Sequence, residues 1–129
     1  MDKKIIFTEL APKAIGPYSQ AVISNGFLFI SGQIAINPKN GEFDPDSDIE
    51  SQTELVMRNL EAILKSQNIS FDNVIKTTIF LADMNDFLTV NKIYGSFLLN
   101  EKIYPARATV ALALPKGAKI EIDMIATIS

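Results

Sequence analysis

The sequence predicts an α+β domain in which a mixed β-sheet carries two helices on one face. Three observations lead there. Short runs rich in β-branched and aromatic residues occur at both ends of the chain and once between two longer amphipathic stretches. The apolar residues of those two stretches recur at helical rather than alternating spacing. No linker-like segment and no internal repeat divides the 129 residues, so a single domain over residues 1–129 is expected. The predicted order is β-β-β-α-β-α-β-β. Two helices cover only one side of such a sheet. With no third helix for the other side, a further copy of the chain is expected to cover it.

Each element has a local reason. Ile5-Ile6-Phe7 makes a first short strand, and residues 11–18, with two prolines and a glycine, make an irregular connector. Residues 21–24 and 27–31 flank Asn25-Gly26, the strongest short hairpin signal. Residues 38–48 form a loop with a second Asn-Gly at Asn40-Gly41. Ser47-Asp48-Ile49-Glu50 has the spacing of a capping box with Ser47 as the cap, opening a helix to about residue 67. Its buried stripe is Ile49, Val56, Leu60, Ile63 and Leu64, with Glu54/Arg58 and Glu61/Lys65 as outward pairs four apart. Asn68 stops it. Residues 74–81 are a strand. The second helix starts near residues 83–86 and buries Phe87, Val90, Tyr94, Phe97 and Leu98. Residues 106–114 and 119–128 are the last strands, joined by the turn Pro115-Lys116-Gly117.

Composition narrows the chemistry. Apolar residues make up 47% and charged ones 21%, a globular balance. The formal charge of −3, with no basic run, speaks against nucleic acid as a partner. The chain has no cysteine and no histidine, which removes disulfides, thiol nucleophiles, thiolate or imidazole metal sites and histidine triads. Asp44-Pro45-Asp46-Ser47-Asp48 lacks the glycine and distal glutamate of a calcium loop, so no metal is expected. Lys3 and Lys4 precede only a short apolar stretch. Neither a signal peptide nor a membrane span is read there, and the expected location is the cytoplasm.

Charge inside apolar strands is the main clue to function. Arg107 sits in Ala106-Arg107-Ala108-Thr109-Val110, and Glu121 and Asp123 sit in Ile120-Glu121-Ile122-Asp123. Such charges are costly unless paired or used. An arginine can grip a carboxylate through two parallel hydrogen bonds, and a nearby acid can move protons on what it holds. Alternation puts Arg107 with Thr109, and Glu121 with Asp123, without deciding which acid meets the arginine. The competing reading is a structural ion pair. Ser31-Gly32-Gln33 marks either a close approach or a bulge. Gly16-Pro17-Tyr18 either presents a phenol or packs it on the core rim. Asn91, beside the apolar helix face, serves either backbone or a ligand.

Several motifs occur together and in order: Gly16-Pro17-Tyr18-Ser19-Gln20-Ala21, Ile30-Ser31-Gly32-Gln33-Ile34, Asn37-Pro38-Lys39-Asn40-Gly41, Val90-Asn91-Lys92-Ile93-Tyr94, Tyr104-Pro105-Ala106-Arg107 and Ile120-Glu121-Ile122. With them the chain resembles the RidA/YjgF family of reactive-intermediate imine deaminases from end to end. The resemblance implies a chorismate-mutase-like homotrimer with clefts between subunits and no cofactor. It implies hydrolysis of enamines and imines such as 2-aminoacrylate and 2-aminocrotonate to 2-oxo acids and ammonia. It assigns carboxylate binding to Arg107, further substrate contacts to Tyr18, Ser31, Gly32, Asn91 and Thr109, and proton handling to Asp123. Many members carry glutamate at the last position and cysteine where this chain has Thr109. Two other readings stay open: a trimer that binds 2-oxo acids or amino acids without turnover, and an RNA-active protein.

Overall fold

Six strands and two α-helices form in the predicted order in the computed structural model, which describes residues 2–128. The strands are β1 (Lys4–Ile6), β2 (Ala21–Ser24), β3 (Phe27–Gln33), β4 (Val74–Leu81), β5 (Ala106–Ala111) and β6 (Ile120–Thr127). The helices are α1 (Ile49–Ser66) and α2 (Phe87–Phe97). All strands join one sheet in the order β1-β2-β3-β6-β4-β5. Every pair is antiparallel except β4–β5, where α2 supplies the crossover a parallel pair requires. Among the described residues no helix is long and apolar enough to cross a membrane.

The hairpin between β2 and β3 turns through Asn25 (φ 51°) and Gly26 (φ 79°), the two positive values that match the twist of the strands. The centre of the sheet is β6, paired with β3 on one side and β4 on the other. Its even-numbered residues, Ile120, Ile122, Met124 and Ala126, are at most 1% exposed and join Val56, Leu60, Ile63 and Leu64 of α1 in the core. Both helices cover this one face, as predicted. On the helix-free face, register aligns Ile5, Val22, Phe29 and Ile125 in one row. Ile5 is 54% and Phe29 44% exposed there, an apolar surface with no cover within the chain.

The five apolar residues expected on α1 are all buried, but the buried face is wider than an apolar count suggests, because it also takes Gln52, Thr53 and Asn59. Each has a partner. Gln52 accepts from the Lys119 N–H (3.0 Å) and donates to the Ser47 carbonyl (3.0 Å), which fixes the entry to β6. Asn59 donates to the Ile36 carbonyl (2.9 Å), which holds the loop after β3. Thr53 donates to Ile49 within the helix (2.7 Å). Helical periodicity cannot flag such residues, since it reads only hydrophobicity.

Some boundaries differ from expectation. The cap of α1 is Asp48, whose carboxylate accepts from the Ser51 N–H (2.8 Å); Ser47 lies one residue outside, its carbonyl taken by Lys119 Nζ (2.6 Å) and Gln52. Starting one residue later places Ile49 at the first helical position with its side chain in the core. β3 runs on to Gln33 because it keeps pairing with β6 beyond a bulge. β5 ends at Ala111 rather than residue 114, opposite Leu81, the last residue of its one partner strand. Asn68 ends the helix region as expected, in the left-handed conformation (φ 59°). Thermal melts should therefore separate the two cap assignments. Asp48→Ala lowers the melting temperature at neutral pH and Ser47→Ala leaves it in place. The difference narrows in acid, because hydrogen bonding from Ser51 holds the Asp48 carboxyl below its usual range and its contribution is lost only as pH falls through that lowered value.

Candidate functional site

Two neighbouring rows of the sheet decide where the site residues point. Thr77 of β4 stands opposite Met124 on one side and Arg107 on the other, and Thr78 stands opposite Asp123 and Ala108. Partners in a ladder share a face. Arg107 therefore lies on the helix side with the buried Thr77 and Met124, while Asp123 lies on the helix-free side. Glu121, two residues from Asp123, shares the latter face. The expected meeting of Arg107 with an acid of β6 does not occur within one chain.

On the helix side, α2 builds a seat for the arginine. Arg107 Nη1 donates to Asn91 Oδ1 at 2.6 Å. The guanidinium carbon lies 5.4 Å from the Tyr94 ring centre and 5.6 Å from that of Phe87. Phe87, Asn91 and Tyr94 are spaced i, i+4, i+7, so one helix face supplies all three. Tyr94 is buried, and its hydroxyl donates to Thr77 Oγ1 at 3.0 Å. Burial raises the pKa of this phenol, against the opposing pull of Thr77 and Arg107, so it stays neutral. The Asn91 amide oxygen is thus taken by the arginine. Among the described residues every ion pair lies on α1, and none involves Arg107. The arginine opens on a cleft of about 450 Å³ lined also by Lys92, Leu98 and Tyr104, two cations and no carboxylate. Thr109 follows Arg107 on the same side of β5, and its buried hydroxyl oxygen has no partner among the described residues.

The helix-free side holds the other set. Between Ile30 and Gln33, β3 takes three steps while β6 takes two, so Ser31 and Gly32 form a bulge opposite Asp123. A methyl group on Gly32 would lie 2.5 Å from Glu121 Oε2, so only glycine lets the carboxylate sit there. The glycine lies in a bulge, and what approaches it is the Glu121 side chain. The Ser31 hydroxyl donates to the Ser19 carbonyl (2.6 Å) and the Ser31 N–H to that of Gln20 (3.0 Å). Gln20, buried, donates to the carbonyls of Thr8, Ala11 and Pro12 and accepts from the Thr8 N–H. These bonds pin the Gly16-Pro17-Tyr18 turn beside the bulge. Tyr18, 49% exposed, lines a second cleft of about 220 Å³ with Gly32, Glu121, Lys13 and Lys116.

The two acids differ in their surroundings. Burial, then the neighbouring Asp123, raises the Glu121 pKa. Burial also raises that of Asp123, opposed by Thr78 and Lys76. Asp123 lines neither cleft. Tyr18 and Gly32 come together with Glu121, with Ser31 next to Gly32 in the bulge; Arg107 comes together with Asn91, and Thr109 lines neither cleft. The Glu121–Gly32 contact was beyond sequence reasoning because the bulge changes which residues of β3 and β6 are neighbours. The ring seat of Arg107 could have been found from the spacing of Phe87, Asn91 and Tyr94.

The family model described as Endoribonuclease L-PSP matches residues 8–128. A RutC family protein of Pyrococcus horikoshii is 50% identical over 125 residues, 96% of this chain and 97% of that protein. A 2-iminobutanoate/2-iminopropanoate deaminase of Mus musculus is 46% identical over 125 residues, 96% of this chain and 90% of that protein. Among solved structures, Escherichia coli TdcF with bound serine superposes with a TM-score of 0.89 at 42% identity, covering 98% of this chain and 99% of that one.

The raised acids have a consequence for stability. A carboxyl whose folded pKa exceeds its unfolded value binds its proton more tightly in the folded chain, so stability falls as pH rises from the ordinary carboxylate range through the raised value. Glu121→Gln removes that loss. The variant is expected to melt higher than wild type at neutral pH, with the gap closing in acid, in thermal melts recorded across pH 4 to 7.

Proposed function

Because the chain belongs to the YjgF/RidA family, we propose that it is a 2-iminobutanoate/2-iminopropanoate deaminase. It hydrolyses reactive enamines and imines of the 2-aminoacrylate and 2-aminocrotonate type to 2-oxo acids and ammonia. The observation that carries this reading is Arg107, a seated cation with no carboxylate partner among the described residues, facing an open cleft. Its Nη1 is committed to Asn91, which leaves the Nε–Nη2 edge for bidentate grip of a substrate carboxylate. The serine in TdcF has an amino-acid carboxylate of the kind this grip suits.

Holding the carboxylate fixes the C=N carbon for attack. The enamine first takes a proton on its carbon to become the iminium. Water then adds to the C=N carbon while a base accepts its proton. The carbinolamine nitrogen is protonated, the C–N bond breaks as ammonia leaves, and the hydroxyl gives its proton to the carboxylate as the C=O bond forms. Each proton transfer suits one carboxyl with a raised pKa. The contact of Glu121 with Gly32, beside Tyr18, supports giving this role to Glu121 rather than to Asp123, the position to which family resemblance pointed. No cofactor is needed for these steps.

Since Arg107 and Glu121 face opposite sides of one sheet, the complete site lies between two copies, and we take the assembly to be a homotrimer. The exposed apolar surface on the helix-free face supports such packing. Light scattering at micromolar concentration is expected to give three times the chain mass of 14.2 kDa, and a monomer mass would overturn the shared site.

Kinetics in an assay coupled to threonine dehydratase test the roles. Arg107→Ala is expected to abolish turnover with a wild-type melting curve, and Arg107→Lys to remain poor. Glu121→Gln should lose at least about 100-fold in kcat, the range for a lost general acid–base group, while still binding 2-oxobutanoate. Asp123→Asn should keep most activity; the reverse pattern returns the role to Asp123. Binding without ammonia release by the wild type would make the protein a binder.

A further inference from the structure

We propose that Tyr94 and Phe87 are the positioning residues of the anion site, clamping the Arg107 guanidinium so that one edge stays presented to the cleft. The inference rests on the reading of Arg107 as the carboxylate anchor. A free arginine side chain samples many rotamers and loses that freedom when it is fixed. A site that grips a carboxylate bidentately gains by having that ordering done beforehand. Three contacts do it here: the 2.6 Å bond to Asn91 and the two rings at 5.4 and 5.6 Å. None of them uses the Nε–Nη2 edge.

The phenol of Tyr94 makes the clamp rigid. A buried hydroxyl is a cost that phenylalanine would not carry, unless the hydroxyl is bonded. It is bonded, to Thr77 Oγ1 at 3.0 Å, and Thr77 stands directly opposite Arg107 in the β4–β5 ladder. The ring is therefore tied to the strand next to the one that carries the arginine. Helix α2 and the sheet cannot slide relative to each other without moving the ring. Tyr94 also lines the cleft, and in this reading its effect is exerted through Arg107.

The chain has only two arginines, Arg58 and Arg107, which makes a direct test practical. Side-chain Nε–Hε signals from ¹⁵N-labelled protein report the order of each guanidinium, and an Arg107→Ala sample assigns them. Arg58, which lies 5.4 Å from the Phe97 ring at a distance from the cleft, is the internal control. In Tyr94→Leu the Arg107 signal is expected to become mobile while that of Arg58 is unchanged. In Tyr94→Phe it should be intermediate, because the ring remains and only its anchor is lost. Phe87→Leu should loosen it as well. In the coupled assay Tyr94→Leu should raise KM at least about tenfold with kcat within about threefold, and Tyr94→Phe should restore most of the loss. Titration with 2-oxobutanoate should show the same ranking in affinity. An Arg107 signal as ordered in Tyr94→Leu as in wild type would overturn the proposal, and so would a loosened arginine with unchanged KM and affinity. A wild type that never releases ammonia would instead refute the deaminase reading, and the NMR signals with the 2-oxobutanoate titration would still decide the clamp.

Discussion

Neighbouring residues of a β-strand must point to opposite faces, and the arrangement of β4, β5 and β6 depends on that rule. The row through Met124, Thr77 and Arg107 belongs to the helix side; the row through Asp123, Thr78 and Ala108 belongs to the other. Even positions of β6 build the core, and the odd positions Glu121 and Asp123 carry carboxylates. A one-residue slip of β6 would bury Glu121 and Asp123 without partners and expose Ile120 and Ile122. That would cost several kcal/mol on ordinary transfer values. The hydrophobic pattern therefore holds the register, and the register holds the chemistry.

Much of this was legible beforehand, for definite reasons. The strand runs and helix periods are local signals, and β4 has its predicted bounds. The Asn25-Gly26 turn is dictated by two positive φ values. Arg107 and the acids of β6 stood out because charge is costly in an apolar strand. What could not be read depends on pairing between distant segments. The bulge at Ser31-Gly32 brings Gly32 against Glu121, and no spacing along the chain encodes that. The opposite facing of Arg107 and Asp123 required knowing that β4 lies between their strands. The cap of α1 fell to Asp48 because Ser, Asp and other oxygen-bearing side chains cap almost equally well, and tertiary packing of Ile49 chose between them.

Polar side chains do much of the scaffolding of the irregular segments. Gln20 binds three carbonyls of the N-terminal connector, Gln52 holds the start of β6, and Asn59 holds the loop after β3. Each replaces regular secondary structure where the backbone turns too irregularly to satisfy itself. Short polar bridges of this kind let a small domain keep long loops close to the sheet. They also explain why the Gly16-Pro17-Tyr18 turn, although surface-exposed, has a fixed place beside the bulge.

Among the described residues, the two outer strands of the sheet, β1 and β5, have edges with no strand paired to them. β5 reads Ala-Arg-Ala-Thr-Val-Ala, a small and largely apolar ribbon of the sort that invites another strand to add on. Its one charge is Arg107. A lone cation on such a ribbon acts as a gatekeeper against self-assembly into extended sheet, since stacked copies would bring like charges together. Arg107 thereby interrupts the apolar run of this edge while it is uncovered within the chain. A neutral side chain at this position would remove that interruption and leave an uninterrupted apolar ribbon at the edge, a consequence for self-association rather than for the cleft.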